Sequence, residues 1–168
     1  MTLPIHTDRL TLRVFTAGDA PGLHALFADP HAMRYVGRGP LAELEETEAV
    51  LRGYIHHQLR HGFSFWALID GDSGRLAGDA GLFRVDGEVQ LGYTLGPEWW
   101  GRGYATEAGR ACMGAAFGAL ELDAVTAVVD PHNAASMKVL DKLGFRSCGS
   151  RLAYGRRHLV YRRSRDAV

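Results

Sequence analysis

The strongest constraint on this fold is a run of strand, glycine-containing turn, helix and second strand. Alternating apolar and polar residues predict a strand over Val89–Leu95, which stops at Gly96-Pro97. A helix is predicted over about Ala105–Ala119, and the β-branched run Ala124–Val129 predicts a buried strand. Two strands joined through one helix pair in parallel by a right-handed crossover. The chain is therefore predicted to be a mixed α/β protein with a strand–helix–strand crossover near residues 89–129.

The other predicted elements extend this crossover into a larger sheet. Their order along the chain is strand, two helices, three strands, helix, strand, helix and two strands. Predicted strands cover Leu10–Val14, Phe63–Asp70, Leu76–Arg84, Phe145–Ala153 and Arg157–Arg163, and predicted helices start near Thr16 and cover about Ala42–His61 and Ala135–Leu143. No linker rich in Pro or Ser divides the 168 residues. We therefore expect one domain, residues 1–168.

Composition excludes several broad classes of protein. The 19 Lys and Arg balance the 19 Asp and Glu, so no overall positive field attracts a polyanion, and we expect no nucleic-acid partner. Cys112 and Cys148 are too few for a disulfide framework. No apolar run approaches the roughly 20 residues of a membrane span, and Met1–Arg13 has no apolar signal core. We expect a cytoplasmic protein with no membrane partner.

The turn between the central strand and helix has the composition of a phosphate-binding loop. It contains Gly101 and Gly103 and ends at the predicted start of the helix. Glycines allow backbone conformations that other residues resist, so that successive N–H groups can converge on one anion. The helix N-terminus adds about half a positive charge. The same pattern also occurs in ordinary turns, so the turn alone does not identify a ligand.

A second candidate group follows the strand Ala124–Val129. Asn133 lies just past the end of this strand, and Ser136 follows it at the start of the next predicted helix. Ligands of parallel sheets gather at the carboxyl ends of strands, so this end and the end after Leu95 are expected to face one cleft. Asn133 also fits a helix cap, and the two roles are compatible.

Taken together, four motifs resemble the GNAT family of N-acetyltransferases, and within it the ribosomal-protein N-acetyltransferase-like branch. The motifs occur in the family's order and cover most of the chain. They are Thr7–Arg13, Asp29–Tyr35, Leu91–Leu95 followed by Trp100–Ala108, and Asn133–Phe145. The resemblance implies a central, mostly antiparallel sheet of six to seven strands flanked by about four helices. It also implies that this sheet is splayed between its two central parallel strands.

The resemblance further implies acetyl-CoA as co-substrate, with no metal, and a primary amine as acceptor. The pantetheine arm would bind strand edges and the pyrophosphate would bind backbone N–H groups of the turn. The cofactor-binding residues expected on this basis are Tyr93, Thr94, Leu95, Trp100, Gly101, Arg102, Gly103, Tyr104, Ala105, Thr106 and Asn133. Trp100 stands where the wider family has Gln or Arg. The amine would attack directly in a ternary complex, without a covalent enzyme intermediate.

The catalytic residues are less clearly marked than the cofactor site. Glu88 is the nearest carboxylate on the central strand, although it also fits an exposed residue beside the Asp86-Gly87 turn. Gln90 occupies a position where branch members often have Glu, and Gln cannot accept a proton. Leu140 replaces the family's Tyr acid, and Ser136 takes that role in this branch. Ser136 also fits a first-turn residue that bonds to the backbone. The catalytic candidates are therefore Glu88 and Ser136.

Several alternatives stay open at the level of sequence. A catalytically weak acyl-CoA-binding module would share the cofactor motifs but not turn over. Acceptors compatible with the sequence are a protein N-terminus, an aminoglycoside, a polyamine or an amino acid analogue, in a pocket shaped by residues 35–38.

His57 and His61 have metal-ligand spacing, but they have no third ligand, which predicts a solvated helix face. The basic run Arg156–Arg165 is expected to form an edge strand. A monomer or a homodimer is expected.

Overall fold

The computed structural model describes residues 1–166, which form one eight-stranded sheet with helices on both faces. The strands are β1 (Ile5–His6), β2 (Leu10–Arg13), β3 (Phe65–Asp70), β4 (Leu76–Val85), β5 (Glu88–Leu95), β6 (Ala124–Val129), β7 (Arg146–Ala153) and β8 (Arg156–Ser164). Their order across the sheet is β1-β2-β3-β4-β5-β6-β8-β7. The α-helices are α1 (Ala20–Phe27), α2 (Leu44–His61), α3 (Tyr104–Phe117) and α4 (Ala134–Lys142). This architecture confirms the predicted mixed α/β fold. The strand beyond the predicted six to seven is β1, whose two residues are too few to alternate visibly.

The parallel pair at the centre of the sheet is splayed. The antiparallel neighbours on either side pair along most of their length, whereas β5 and β6 share a single register pair, Gln90 with Thr126. Beyond Gln90 the two strands separate. Their edge N–H and C=O groups are therefore not joined to each other from Leu91 onward, as the sequence resemblance predicted.

Two apolar cores lie on the two faces of the sheet. The larger core includes residues of α3 and α4, such as Cys112 and Leu140, packed on β4, β5 and β6. The second core surrounds Leu23 and Leu51, which belong to α1 and α2 and cover β3. Small residues on α3, such as Ala108 and Ala116, are completely buried and allow this helix to lie close to the sheet.

Two expectations about polar residues were wrong. The basic run lies on β8, which is an interior strand between β6 and β7, so the edge of the sheet is β7. His57 is buried: its Nδ1 is 2.7 Å from the carbonyl oxygen of Phe63, and its Nε2 accepts a hydrogen bond from the backbone N–H of Arg84. The imidazole therefore joins α2 to the sheet, a role that the sequence spacing did not reveal.

Membrane spans and metal clusters are both absent from residues 1–166. None of the helices in this range is both long and apolar enough to cross a bilayer. The same range contains no cluster of three or more His, Cys, Asp or Glu side chains able to hold a metal ion.

Candidate active site

A cavity of about 450 Å³ opens where β5 and β6 separate. Residues from both faces of the sheet line it, because the gap between the two strands connects one face to the other. On the α3–α4 side the lining includes Tyr93, Ala127 and Ser136, and on the α1–α2 side it includes Tyr54 and Asp79. The volume is within the usual range for small-molecule sites, about 300–1,000 Å³.

The glycine-containing turn lies between the end of β5 and the start of α3. Gly101 and Gly103 have φ of 70° and 80°, in the left-handed region that favours glycine. Gly103 is the N-cap of α3, and no side chain caps this helix end. The first N–H groups of α3, from Tyr104, Ala105 and Thr106, have no partner within the helix. The turn therefore presents backbone donors at the positive end of a helix, the arrangement that suits a pyrophosphate.

Side chains around the turn hold it in place rather than face a ligand. The buried Tyr104 hydroxyl donates to Asp70 Oδ1 at 2.9 Å. The Arg9 guanidinium lies 4.4 Å from the centre of the Tyr104 ring and donates to the Arg102 carbonyl oxygen at 2.7 Å. Glu107 accepts from the Thr7 hydroxyl and from Arg9. Of Tyr104, only the backbone is therefore available to a cofactor.

Trp100 joins the turn to the end of β5. Its indole Nε1 donates to the carbonyl oxygen of Leu95 at 2.9 Å, while half of the side chain is exposed. The Leu95 carbonyl oxygen therefore already accepts one hydrogen bond. Tyr93 and Thr94, which precede Leu95 on β5, line the cavity. Neither Leu95 nor residues 100–106 belong to the cavity lining.

Two predicted residues of α4 meet β5 at the cavity. Asn133 caps α4 by accepting a hydrogen bond from the N–H of Ser136 at 3.1 Å. The Ser136 hydroxyl lies 2.8 Å from the Tyr93 hydroxyl. Burial raises the pKa of Tyr93 to about 12, so its hydroxyl keeps its proton near neutral pH. Sequence reasoning assigned Tyr93 a backbone role only. The pair of hydroxyls became visible when strand and helix were placed together.

Glu88 lies outside the cavity lining, at the start of β5. Its carboxylate forms an ion pair with Arg151 at 2.7 Å, and this bond lowers the pKa of Glu88. A carboxylate with a lowered pKa is a weaker base. The role of Glu88 as proton acceptor stays a prediction from the sequence, and its pairing with Arg151 disfavours that role.

Asp79 is a site residue that the sequence analysis missed. It lies on β4 opposite Thr94 of β5, is only 3% exposed, and lines the cavity. Tyr54 donates to Asp79 Oδ2 at 3.2 Å, while Oδ1 has no hydrogen-bond partner among the described residues. Burial raises the pKa of Asp79 to about 7. One signal was present in the sequence, since an acid within the small-residue strand Leu76–Arg84 is unusual.

The outer wall of the cavity comes from two connecting segments. Residues 35–39, between α1 and α2, line it, as the sequence analysis expected for residues 35–38. Tyr154 in the β7–β8 turn and His158 on β8 line it as well. Tyr54, Phe65 and Phe83 add aromatic surface, so the α1–α2 side of the cavity is mainly apolar and aromatic.

Comparison with known sequences supports the same family as the motifs. The family model described as "Acetyltransferase (GNAT) domain" matches residues 9–146. The chain is similar to the "Uncharacterized N-acetyltransferase YoaA" of Bacillus subtilis. The two are 31% identical over 149 residues, which are 86% of this chain and 84% of that protein.

Solved structures share the fold over nearly the whole chain. An acetyltransferase from Agrobacterium tumefaciens has a TM-score of 0.84 at 28% identity, covering 97% of this chain and 95% of that one. The ribosomal-protein-S5-alanine acetyltransferase of Vibrio fischeri has a TM-score of 0.79 at 20% identity, covering 98% of each chain. With the splayed β5–β6 pair and the glycine turn before α3, these matches place the chain in the GNAT family of acetyltransferases.

Proposed function

We propose that this protein transfers the acetyl group of acetyl-CoA to a primary amine. The observation that supports this most directly is the single register pair between β5 and β6, beyond which both strands expose unpaired edges beside a cavity. An extended amide-containing arm binds such an edge as an added strand would. The proposal assigns the pantetheine arm to the edge at Tyr93 and Thr94.

The turn and the start of α3 would bind the pyrophosphate of acetyl-CoA. The residues present fit this group, because the first N–H groups of α3 have no side-chain cap and a Cβ at Gly101 would point into open space. Gly103 and the backbone of Tyr104–Thr106 complete the set of donors. Arg102 adds a positive charge beside them. These contacts use the backbone, so Trp100 in place of Gln or Arg is compatible with the same role.

Acetyl transfer to an amine needs two proton movements. The amine must lose a proton before it attacks, which at pH 7 costs about 1.4 kcal/mol for an amine of pKa near 8 and about 4.6 kcal/mol for one near 10.4. The departing thiolate must then be protonated, which is easy because thiol pKa values are about 8.5. The hydroxyl pair of Ser136 and Tyr93 faces the gap and would donate this second proton.

The proposal is tested by binding and turnover measured together. We expect isothermal titration calorimetry to show that acetyl-CoA binds at one site per chain. We also expect a thiol-release assay with a panel of primary amines to show amine-dependent production of CoA, and mass spectrometry to show the acetylated amine. Binding without amine-dependent release would favour the acyl-CoA-binding module. Absence of binding would contradict both.

A further inference from the structure

We propose that Asp79 is the carboxylate that binds the acceptor's ammonium group and takes its proton, and that the acceptor is a small monoamine with an apolar or aromatic body. This inference rests on the proposed function and specifies its acceptor site. Asp79 is nine-tenths or more buried, lines the cavity, and leaves Oδ1 without a partner among the described residues. A buried carboxylate oxygen without a partner is costly unless a ligand supplies a donor.

The position of Asp79 relative to the donor site supports this role. Asp79 and Thr94 are direct partners in the antiparallel pair of β4 and β5, so their Cα atoms are about 4.5–5.5 Å apart. Thr94 belongs to the strand edge assigned to the pantetheine arm. Tyr54 from α2 holds the other carboxylate oxygen of Asp79 at 3.2 Å. An ammonium bound to Oδ1 therefore lies next to the gap in which the proposed transfer takes place.

The proton balance of the reaction is complete with these groups. An ammonium bound to Asp79 gives one proton to the carboxylate and becomes a neutral amine. This amine forms a C–N bond to the acetyl carbon as the C–S bond of acetyl-CoA breaks. The nitrogen loses its second proton as the amide forms. This proton replaces the one that the Ser136–Tyr93 pair gives to the departing thiolate, so the thiol is released and the pair is restored. Asp79 returns its proton to solvent before the next cycle.

Asp79 is surrounded by groups that keep their protons near neutral pH, so a change of charge at this position is assigned to Asp79. The pKa of Tyr54 is raised by burial, as are those of Cys112 on α3 and Tyr93 on β5, so all three keep their protons. The other titratable or charged side chains at the cavity are Tyr35, Arg38 and Tyr154 in its outer wall and His158 on β8. Burial raises the pKa of Asp79 to about 7, which suits a group that must both accept and release a proton near neutral pH.

The lining of the cavity selects among amines. Asp79 is its single carboxylate among the described residues, whereas Arg38 adds positive charge and most other residues are apolar or aromatic. A polyamine or aminoglycoside would bring further ammonium groups close to Arg38, and the described lining has no second carboxylate to neutralise them. The volume of about 450 Å³ must also hold the acyl end of the donor. A compact amine with one positive charge and an apolar body fits these constraints.

The test is the pH dependence of kcat/KM with 2-phenylethylamine. We expect the wild-type protein to show an acidic limb near pH 7 and a basic limb near the pKa of the amine, about 10. Asp79→Asn should lose the limb near pH 7 and fall about 100-fold at pH 7. Its kcat/KM should instead follow the fraction of free neutral amine, so the deficit shrinks as pH approaches 10. Asp72→Asn, in the exposed turn between β3 and β4, serves as the matched control and should keep the wild-type profile.

Further variants separate Asp79 from its neighbours. Tyr54→Phe removes the donor to Asp79 Oδ2 and should move the acidic limb to higher pH, whereas His158→Gln should leave this limb in place. If Asp79→Asn does not fold, the shift in Tyr54→Phe decides the question. The role of Asp79 would be overturned if the limb near pH 7 persists in Asp79→Asn. It would also be overturned if Tyr54→Phe leaves this limb at the wild-type pH.

The acceptor class is tested with three amines. We expect kcat/KM for 2-phenylethylamine to exceed, by at least about tenfold, the values for spermidine and for an octapeptide with a free N-terminal amine. Preference for spermidine or for the peptide would overturn the assigned class. If the wild-type protein binds no acetyl-CoA and releases no CoA with any amine, the proposed function itself fails. If the wild-type protein turns over and Asp79→Asn matches it at every pH, this inference alone fails.

Discussion

The Tyr93 and Ser136 hydroxyls form a hydrogen-bonded pair, although each residue also has an ordinary structural role. Each lies in an element with its own structural task, a strand edge and a helix first turn. Their hydroxyls meet at 2.8 Å, and Tyr93 also approaches the backbone carbonyl oxygen of Ser136 at 3.2 Å. Because Asn133 bonds to the N–H of Ser136 and not to its hydroxyl, the Ser136 side chain can be changed without removing the helix cap.

Removal of either hydroxyl should therefore slow the reaction by a similar amount. We expect Ser136→Ala and Tyr93→Phe each to lower kcat about fivefold to tenfold, the equivalent of one hydrogen bond. The double variant should be little slower than the slower single variant, because the two groups act as one donor. The measurement is a double-mutant cycle on kcat, with the Kd of acetyl-CoA as control. Fully additive losses would contradict a shared role.

Asp79 also predicts how stability depends on pH. In the folded chain its pKa is about 7, against 3.8 for an ordinary Asp, so between these values the folded state holds a proton that the unfolded state has lost. The contribution of Asp79 is therefore fully present below about pH 4 and is lost as pH rises through about 7. Asp79→Asn cannot titrate, so we expect its stability relative to wild type to rise over this window by a few kcal/mol at most. Urea unfolding at pH 4, 5.5, 7 and 8 measures this, and parallel pH profiles would contradict it.

At the scale of the elements, the turn before α3 requires a left-handed backbone conformation at Gly101. Gly101 has a φ of 70°, and a Cβ there would meet no atom within 4 Å. Gly62, which ends α2, has a φ of 77° and equally open surroundings. A Cβ at either position would therefore meet the same backbone strain and the same open surroundings. The two positions differ in location, since only Gly101 lies in the proposed pyrophosphate site.

This pair allows ligand binding to be separated from backbone strain. Gly101→Ala and Gly62→Ala should each cost roughly 1 kcal/mol of stability, because a side chain in the left-handed region is strained. Only Gly101→Ala should also weaken acetyl-CoA binding, by about tenfold or more, since its methyl group lies where the pyrophosphate is expected. Thermal unfolding and calorimetry on both variants provide the comparison. Equal affinities in the two variants would remove the turn from the site.

The elements themselves were largely predictable from local sequence patterns. The run Ala124–Val129 is the observed β6, and the helix predicted from Ala105 begins one residue earlier, at Tyr104. β-branched runs, glycine stops and alternation act within a few residues, so they mark element ends well. The position of β8 inside the sheet was not predictable in this way, because pairing with both β6 and β7 depends on contacts between distant segments.

For the molecule as a whole, the two cores meet at one continuous sheet, and the proposed donor site bridges its splayed centre. We expect a single cooperative unfolding transition, coincident by tryptophan fluorescence and circular dichroism. Acetyl-CoA at 100 times its Kd should stabilise the whole chain by about 2.7 kcal/mol. Two separate transitions, or stabilisation of only one of them, would contradict a single domain over residues 1–168.

The same distinction between local and distant contacts explains which residues of the candidate site could be proposed from the sequence. The glycine turn and Asn133 lie in contiguous motifs, so the order of residues along the chain is enough to mark them. Asp79 and Tyr54 come from different elements 25 residues apart, and neither stands out alone. Glu88 and Arg151 are 63 residues apart, so their pairing likewise depends on how the sheet folds.

The gap through the sheet has a consequence for how such a protein diversifies. The side of the opening proposed to bind the acyl donor is built from the central strands and from helix starts, whose alteration would damage the fold. The opposite mouth is bordered by residues 35–39 and Tyr154, which belong to surface connections. Under the proposed function, mutations in these connections would change which amine enters without disturbing the acetyl-CoA site. Descendants of one ancestral gene would therefore be expected to keep a common acyl donor while acquiring different acceptors.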